Sequence, residues 1–271
     1  MPPPDRREIT AFSNTEIKRI RSLRDKKHRR AERQFLAEGL RICTEALDAG
    51  FVPATLVLAS GQPAHPLARQ IEDAVVARGG EVLAVPPALL AKLSGKDNPQ
   101  AVLGIFDEHP TPLASLDRNA ADIWLVAQAL RDPGNLGTML RTGDAVGAGG
   151  LILIDDCTDP FSVEAVRASM GAIFTQRIVI APWSEFIGWL RGGPGQLVGT
   201  SLNDAIDYRA AEYSAPCFVL TGNEARGLPA EYEAACDVRV KIPMHGKADS
   251  LNAAIATAVV AYQVRDRLGT S

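Results

Sequence analysis

The stretch Ile123–Ile154, IWLVAQALRDPGNLGTMLRTGDAVGAGGLILI, decides the fold. It opens on the apolar run IWLVAQ and closes on another, LILI from Leu151. Short apolar runs without polar alternation read as strands buried on both faces, as in a parallel sheet. Between them Pro133-Gly134 marks a turn, and the residues from about Asn135 to Val146 read as a helix. A helix between two such strands makes a parallel β-α-β unit and an α/β fold. The glycines at 143, 147, 149 and 150 do not spell G-x-G-x-x-G, and they precede a strand instead of following one. A dinucleotide fold is therefore disfavoured.

The alternation continues downstream. A helix is expected near Ser162–Met170, then strands QLVGT from Gln196, CFVLTG from Cys217 and VRVKI from Val238. A last helix is expected from about Ser250 to Leu268, where Leu251, Ala254, Ile255, Ala258, Val259 and Tyr262 fall on one apolar face. Upstream, EHPTPLASLDRNAA (108–121) has no periodicity and reads as a linker. Before it, Asn14 is a plausible N-cap for a helix carrying Ile17, Ile20 and Leu23. An apolar step at Phe35-Leu36 leads to a helix over Leu40–Ala49, stopped by Gly50. Strand ATLVLAS from Ala54, a helix near Ala64–Arg78, and strands EVLAV from Glu81 and VLGIFD from Val102 complete a small, mostly parallel layer. The expected organisation is an N-terminal domain at 1–107, a linker at 108–121 and a second α/β domain at 122–271.

Of 271 residues, 46% are hydrophobic and 23% charged, enough for a globular core, and the net charge is −3. Cys43, Cys157, Cys217 and Cys236 form no C-x-x-C pair, and the histidines form no H-E-x-x-H, so no metal site is expected. The beginning, MPPPDRREIT, lacks a signal-peptide apolar core, and no stretch reaches the roughly 18 apolar residues of a membrane span, which predicts a cytoplasmic protein. Positive charge is gathered locally: nine Lys or Arg residues lie between Lys18 and Arg33, opposed by Asp25 and Glu32. Such a run is either a solvated helix face or a phosphate-contacting surface. Its segregation in an acidic chain points to RNA, with Lys18, Lys26, Lys27, Arg29 and Arg30 as candidate contacts.

Three loops carry candidate chemistry. RDPGNLGTMLR from Arg131 holds Asn135 and Arg141; as plain structure Asn135 caps the helix and Arg141 faces solvent. CFVLTGNEARGLP from Cys217 places Glu224 between glycines directly after a strand, where a backbone free of Cβ allows close approach. IPMHGKADSLN from Ile242 ends with Ser250 as a candidate N-cap and Asn252 in the first helical turn, where its side chain competes with the helix.

Together these resemble the SpoU/TrmH family of the SPOUT methyltransferases. The likeness is carried by N-x-G-x-x-x-R at Asn135, Gly137 and Arg141, by G-x-E-x-x-G-L at Gly222, Glu224, Gly227 and Leu228, and by I-P-M-x-G-x-x-x-S-L-N at Ile242–Asn252. It covers residues 120–271, and NTEIKRIRSLRDKKHRRAERQFLAEGLRICTEAL looks like the family's ribosomal-protein-like substrate-binding domain. The resemblance implies a C-terminal α/β knot (a deep trefoil) that binds S-adenosylmethionine without a metal. Gly222, Ile242 and Leu251 would meet the cofactor, with Thr200 nearby. It further implies a homodimer through the knotted domain, with Arg141 close to the partner's site. Asn135, Arg141, Glu224, Ser250 and Asn252 match the catalytic group for methylating a ribose 2′-hydroxyl. Arginine keeps its proton at ordinary pH, so Arg141 is expected to grip phosphate and polarise the hydroxyl while Ser250 and Asn252 orient it. The additional N-terminal domain favours 23S ribosomal RNA over transfer RNA on family analogy. A catalytically silent RNA-binding protein of the same fold is the rival class; it predicts damaged motif residues, and these are intact.

Overall fold

A computed structural model describes residues 6–61, 65–95 and 101–269 of the chain. Residues 1–5, part of the stretch read for a signal peptide, and Ala64, an expected helix start, lie outside them. The chain divides into two compact units: one runs to Glu108 and takes in Phe161–Thr175, the other comprises His109–Pro160 and everything from Gln176.

In chain order the first stretch gives β1 (Arg7–Glu8), α1 (Thr15–Ser22), α2 (Lys26–Glu32), β2 (Gln34–Glu38), α3 (Leu40–Asp48), β3 (Thr55–Ala59), α4 (Pro66–Ala77), β4 (Glu81–Val85), α5 (Pro87–Ser94) and β5 (Val102–Asp107). There follow β6 (Ile123–Gln128), α6 (Pro133–Ala145), β7 (Gly150–Ile154), α7 (Val163–Ser169), α8 (Ala172–Thr175), β8 (Arg177–Ala181) and α9 (Trp183–Arg191). Last come β9 (Gln196–Thr200), β10 (Ile206–Asp207), β11 (Cys217–Thr221), α10 (Ala230–Ala235), β12 (Val238–Lys241) and α11 (Ala253–Leu268).

The first unit holds a sheet in the order β1-β4-β3-β5-β2. It is mixed, not mostly parallel: β5 runs antiparallel to both β3 and β2, while β4 pairs parallel with β1 and β3. The apolar step at Phe35-Leu36 is the centre of β2. Asn14 caps α1 as expected, accepting from the Glu16 amide, and Ile17, Ile20 and Leu23 are buried in one core cluster with Leu36, Val57 and Leu83. Phe35, Phe106, Phe161 and Phe174 form an aromatic cluster with ring centroids 4.7 to 5.9 Å apart. Those offset contacts explain why 161–175, expected with the second half, packs in the first unit.

The second unit holds a wholly parallel sheet in the order β10-β12-β9-β11-β6-β7-β8. Trp124, Val126, Ile152, Phe186, Phe218 and Leu220 share one core cluster. Fully burying each such side chain contributes roughly 1.5–3 kcal/mol, and the Trp124 Nε1–H is satisfied by the Arg118 carbonyl at 2.9 Å. The expected linker at 108–121 is seated here, with Leu113 and Leu116 buried in the same cluster. Gly143 lacks room for a side chain: a Cβ would stand 2.7 Å from Gln176 Oε1.

The closing helix differs from expectation. Ala253, Ala254, Thr257, Val260, Ala261 and Val264 are its buried residues. Of the face expected from the sequence, Leu251, Ile255 and Tyr262 are exposed and only Ala254 is fully covered. Small residues let the helix lie close to its neighbours, so the larger apolar ones are left outward.

Candidate active site

Sheet order places the chemistry. From β6 the chain builds outward through β7 and β8, then crosses to the other side to lay down β9, β11 and β12. The boundary between β6 and β11 is therefore a topological switch point, and ligands of open α/β sheets bind at the carboxyl ends of strands at such points. Two candidate loops leave carboxyl ends at that boundary, 129–132 after β6 and 222–229 after β11; the third, 242–252, leaves the carboxyl end of β12, beyond β9.

Glu224 joins the first two. Its carboxylate accepts from the amides of Arg131 at 3.1 Å and Asp132 at 3.0 Å, and from Asn135 Nδ2 at 3.2 Å. Burial works to raise its pKa, but the Asp132 amide, its own amide, the Asn135 side chain and the Arg131 amide together hold it below the ordinary carboxyl value. The helix α6 starts earlier than expected, with Asp132 and not Asn135 as its cap: Asp132 Oδ1 accepts from the Asn135 amide at 2.7 Å and Pro133 occupies the first turn. That releases the Asn135 side chain, whose Oδ1 accepts from Asn252 Nδ2 at 2.8 Å. Asn252 in turn, rather than Ser250, is the N-cap of α11, accepting from the amides of Ala254 and Ile255. Its position is thus a favourable cap and not a conflict within the first turn.

The loops after β11 and β12, together with the one after β9, line a cavity of about 370 Å3 that includes Thr200, Gly222, Glu224, Ile242, Ser250 and Leu251, while the loop after β6 stays outside its lining. A side chain at Gly222 would lie 2.3 Å from the Gly227 carbonyl carbon, so only glycine permits this closure. The Ser250 hydroxyl is exposed and engages no partner among the described residues. Arg141 sits on the exposed side of α6 and is absent from the cavity lining. Of the motif residues, then, Glu224 and Ser250 line the cavity, Asn135 and Asn252 brace it, and Arg141 stands apart.

Asn223 was missed in the sequence. Its Nδ2 donates to the Ala129 carbonyl at 2.8 Å, and its Oδ1 accepts from the amides of Ala225 and Arg226, both at 3.1 Å. An asparagine directly after a strand glycine is an Asx-turn signal that could have found it.

Of the basic candidates, Lys18, Lys27 and Arg30 are exposed and Lys26 is half-buried. Arg29 is 3% exposed, and its guanidinium donates to the carbonyls of Leu23 and Arg24, both at 2.8 Å. It serves the fold between α1 and α2, which corrects its assignment as an RNA contact. The four cysteines are free thiols. Burial pushes Cys43, Cys217 and Cys236 up to about 12 and Cys157 up to about 11, so none offers a thiolate near neutrality. Among the described residues no group of His, Cys, Asp and Glu is placed to hold a metal ion, and no helix is long and apolar enough to cross a membrane.

The chain is similar over most of its length to known proteins. Residues 14–104 match the MRM3-like substrate binding domain. The chain is 30% identical over 274 residues to the 23S rRNA (uridine(2479)-2'-O)-methyltransferase of Streptomyces viridochromogenes, covering 98% of this chain and 94% of that one. It is 27% identical over 260 residues to the 23S rRNA (guanosine(2553)-2'-O)-methyltransferase of Bacillus subtilis, covering 96% and 99%. A crystal structure of an AdoMet-bound rRNA methyltransferase from Sinorhizobium meliloti superposes with a TM-score of 0.91 at 42% identity, covering 97% of this chain and 99% of that one. Residues 122–262, which hold all three loops, match the SpoU rRNA Methylase family, and the chain belongs to that family.

Proposed function

We propose that this chain transfers a methyl group from S-adenosylmethionine to a ribose 2′-hydroxyl of 23S ribosomal RNA. One observation carries the assignment: the loops after the neighbouring parallel strands β12, β9 and β11 close a single cavity around Gly222, with the Asn252–Asn135–Glu224 hydrogen-bonded chain beside it. The relatives act on 23S rRNA at a uridine and at a guanosine, so they support the ribose chemistry without fixing the base.

The cofactor fits the residues present. Backbone groups of Gly222, Ile242 and Leu251 hold it, with Thr200 at the cavity edge, and the absence of a Gly222 side chain lets the chain close around it. When bound it supplies an already activated sulfonium methyl, so the protein chiefly aligns the reactants. Ser250, with an unpartnered hydroxyl, orients the incoming 2′-oxygen. Asn252 caps α11 through Oδ1 and donates to Asn135 through Nδ2, so it acts by fixing Asn135. Glu224 stays ionised and pins the start of α6 to the loop after β11.

Arg141 acts from a second subunit. The exposed Ile255 and Tyr262 (48% and 54%), with Leu251 (38%) just before the helix, give α11 an apolar outer face suited to a second copy. Arg141 of one protomer then grips the RNA phosphate at its partner's cavity and polarises the hydroxyl. Lys18, Lys26, Lys27 and Arg30 hold the RNA in the N-terminal unit by phosphate contact. The trefoil knot and a cytoplasmic site of action, both implied by the family resemblance or the sequence, belong to the same proposal. Mapping 2′-O-methyl sites in ribosomal and transfer RNA with and without the gene tests it. One lost site in 23S rRNA is expected; no lost site in any RNA contradicts it.

A further inference from the structure

A second cavity, of about 530 Å3, opens at the carboxyl end of β6, lined in part by Gln128, Ala129, Arg131, Leu228 and Pro229. It shares Asn223, Ala225, Arg226, Gly227 and Leu228 with the first, so the loop after β11 is the wall between them. Its size lies within the roughly 300–1,000 Å3 of small-molecule sites.

Gln128 is the last residue of β6 and only 7% exposed. Its Nε2 faces Asp155 Oδ2 at 3.5 Å, a weak contact, and among the described residues nothing donates to its Oε1. Gln128 lines the cavity, which puts its amide within reach of an occupant. An amide oxygen with no protein donor is left to bond whatever occupies the cavity, water or a guest. Asp155 is built to hold the amide: its Oδ2 takes the Tyr232 hydroxyl at 2.7 Å and its Oδ1 the Trp183 amide at 2.9 Å. Both Ala129 and Asp155 have left-handed backbones, φ +47° and +61°, conformations that persist at functional sites when the surroundings enforce them.

We infer that this second cavity receives the base of the nucleotide being methylated, and that Gln128 reads an N–H on its pairing edge. The inference rests on the methyl-transfer assignment above. The 2′-oxygen must meet the first cavity, which puts the ribose at the shared wall. The base is joined to the carbon adjoining C2′, so from a ribose at the rim of that wall it can extend past the rim into the second cavity. Leu228 and Pro229 offer apolar surface to the ring, and Arg226, which lines both cavities, stands where the backbone phosphate passes. Reading a base this way requires it to leave its stack, as for other enzymes that act on single nucleotides.

The test uses four 23S rRNA transcripts that differ only in the base at the mapped methylation site. Full-length wild type is expected to discriminate among them by at least roughly tenfold in single-turnover methyl transfer. Gln128→Met, which keeps the volume and removes the amide, is expected to reduce that discrimination to under about threefold, with calorimetric affinity for S-adenosylmethionine within about twofold of wild type. Unchanged discrimination in Gln128→Met, equal transfer by wild type to all four transcripts, or loss of cofactor affinity in the variant would overturn the inference. Wild type that binds S-adenosylmethionine but methylates none of the four overturns the underlying transfer assignment instead.

Discussion

Asn252 Nδ2 donates to Asn135 Oδ1 at 2.8 Å, joining the start of α11 to the start of α6 across 117 residues of chain. The same Asn252 caps α11 through its Oδ1. The two jobs can be separated by substitution. Serine keeps an N-cap acceptor but cannot reach as an amide donor; alanine loses both. Asn252→Ala is expected to cost about 1 kcal/mol and lower Tm by roughly 2–4 °C, with Asn252→Ser close to wild type. Both should slow methyl transfer by on the order of 10–100-fold, because misplacing the aligned groups is penalised steeply. Thermal unfolding and single-turnover transfer measure the two effects independently. Wild-type transfer by Asn252→Ser would show that the bridge does not align the site.

Glu224 predicts a pH dependence. Its folded pKa lies below the ordinary 4.5, so the folded chain holds that proton less tightly than the unfolded chain does. The resulting stabilisation is complete above 4.5 and is lost as pH falls through the lower folded value. Urea unfolding of wild type and Glu224→Gln from about pH 7 to about pH 3 should therefore show a stability gap that narrows on acidification. A gap independent of pH would remove the carboxylate from this role.

Much of this arrangement is legible in the sequence, for identifiable reasons. Strands β6, β7 and β11 read clearly because both their faces are covered and their burial is continuous. By contrast β8 escaped, since it is an edge strand whose Arg177 and Ile180 are exposed. Helix α11 is apolar on two sides, and periodicity selected its larger residues while the sheet buries the smaller ones. Loop residues Gly222, Glu224, Ile242, Ser250 and Leu251 were recovered through their motif spacing and do share one cavity. The burial of Arg29 was hidden because a charge run shows no sign of which guanidinium will cap the backbone between two helices. Gln128 likewise looks like the polar end of any strand until the cavity beside it is seen.

A site shared between subunits makes Arg141 and Ser250 complementary. Arg141→Ala and Ser250→Ala homodimers should each lose most transfer activity. Mixing them in equal amounts after subunit exchange should restore roughly a quarter of the wild-type rate, since half the dimers are mixed and each has one intact site. No recovery, from variants shown by light scattering to exchange, would place Arg141 at its own chain's cavity or outside the reaction. Tyr262→Asp on the outer face of α11 should shift the protein toward monomer and reduce transfer with it.

Exposed basic residues of the N-terminal unit should act through phosphate alone. Lys27→Ala and Arg30→Ala are each expected to weaken binding to 23S rRNA transcripts and to reduce the slope of log affinity against log salt by about one. Affinity for S-adenosylmethionine should be unchanged. An unaltered salt slope in both variants would return the segment to an ordinary solvated helix face.

The most direct measurement is transfer of tritium from methyl-labelled S-adenosylmethionine to an unmodified 23S rRNA transcript by the purified protein, followed by digestion to nucleosides. Label is predicted in a single 2′-O-methylnucleoside, abolished by Gly222→Val. Label on a base, or none at all with folded protein, would contradict methyl transfer to ribose.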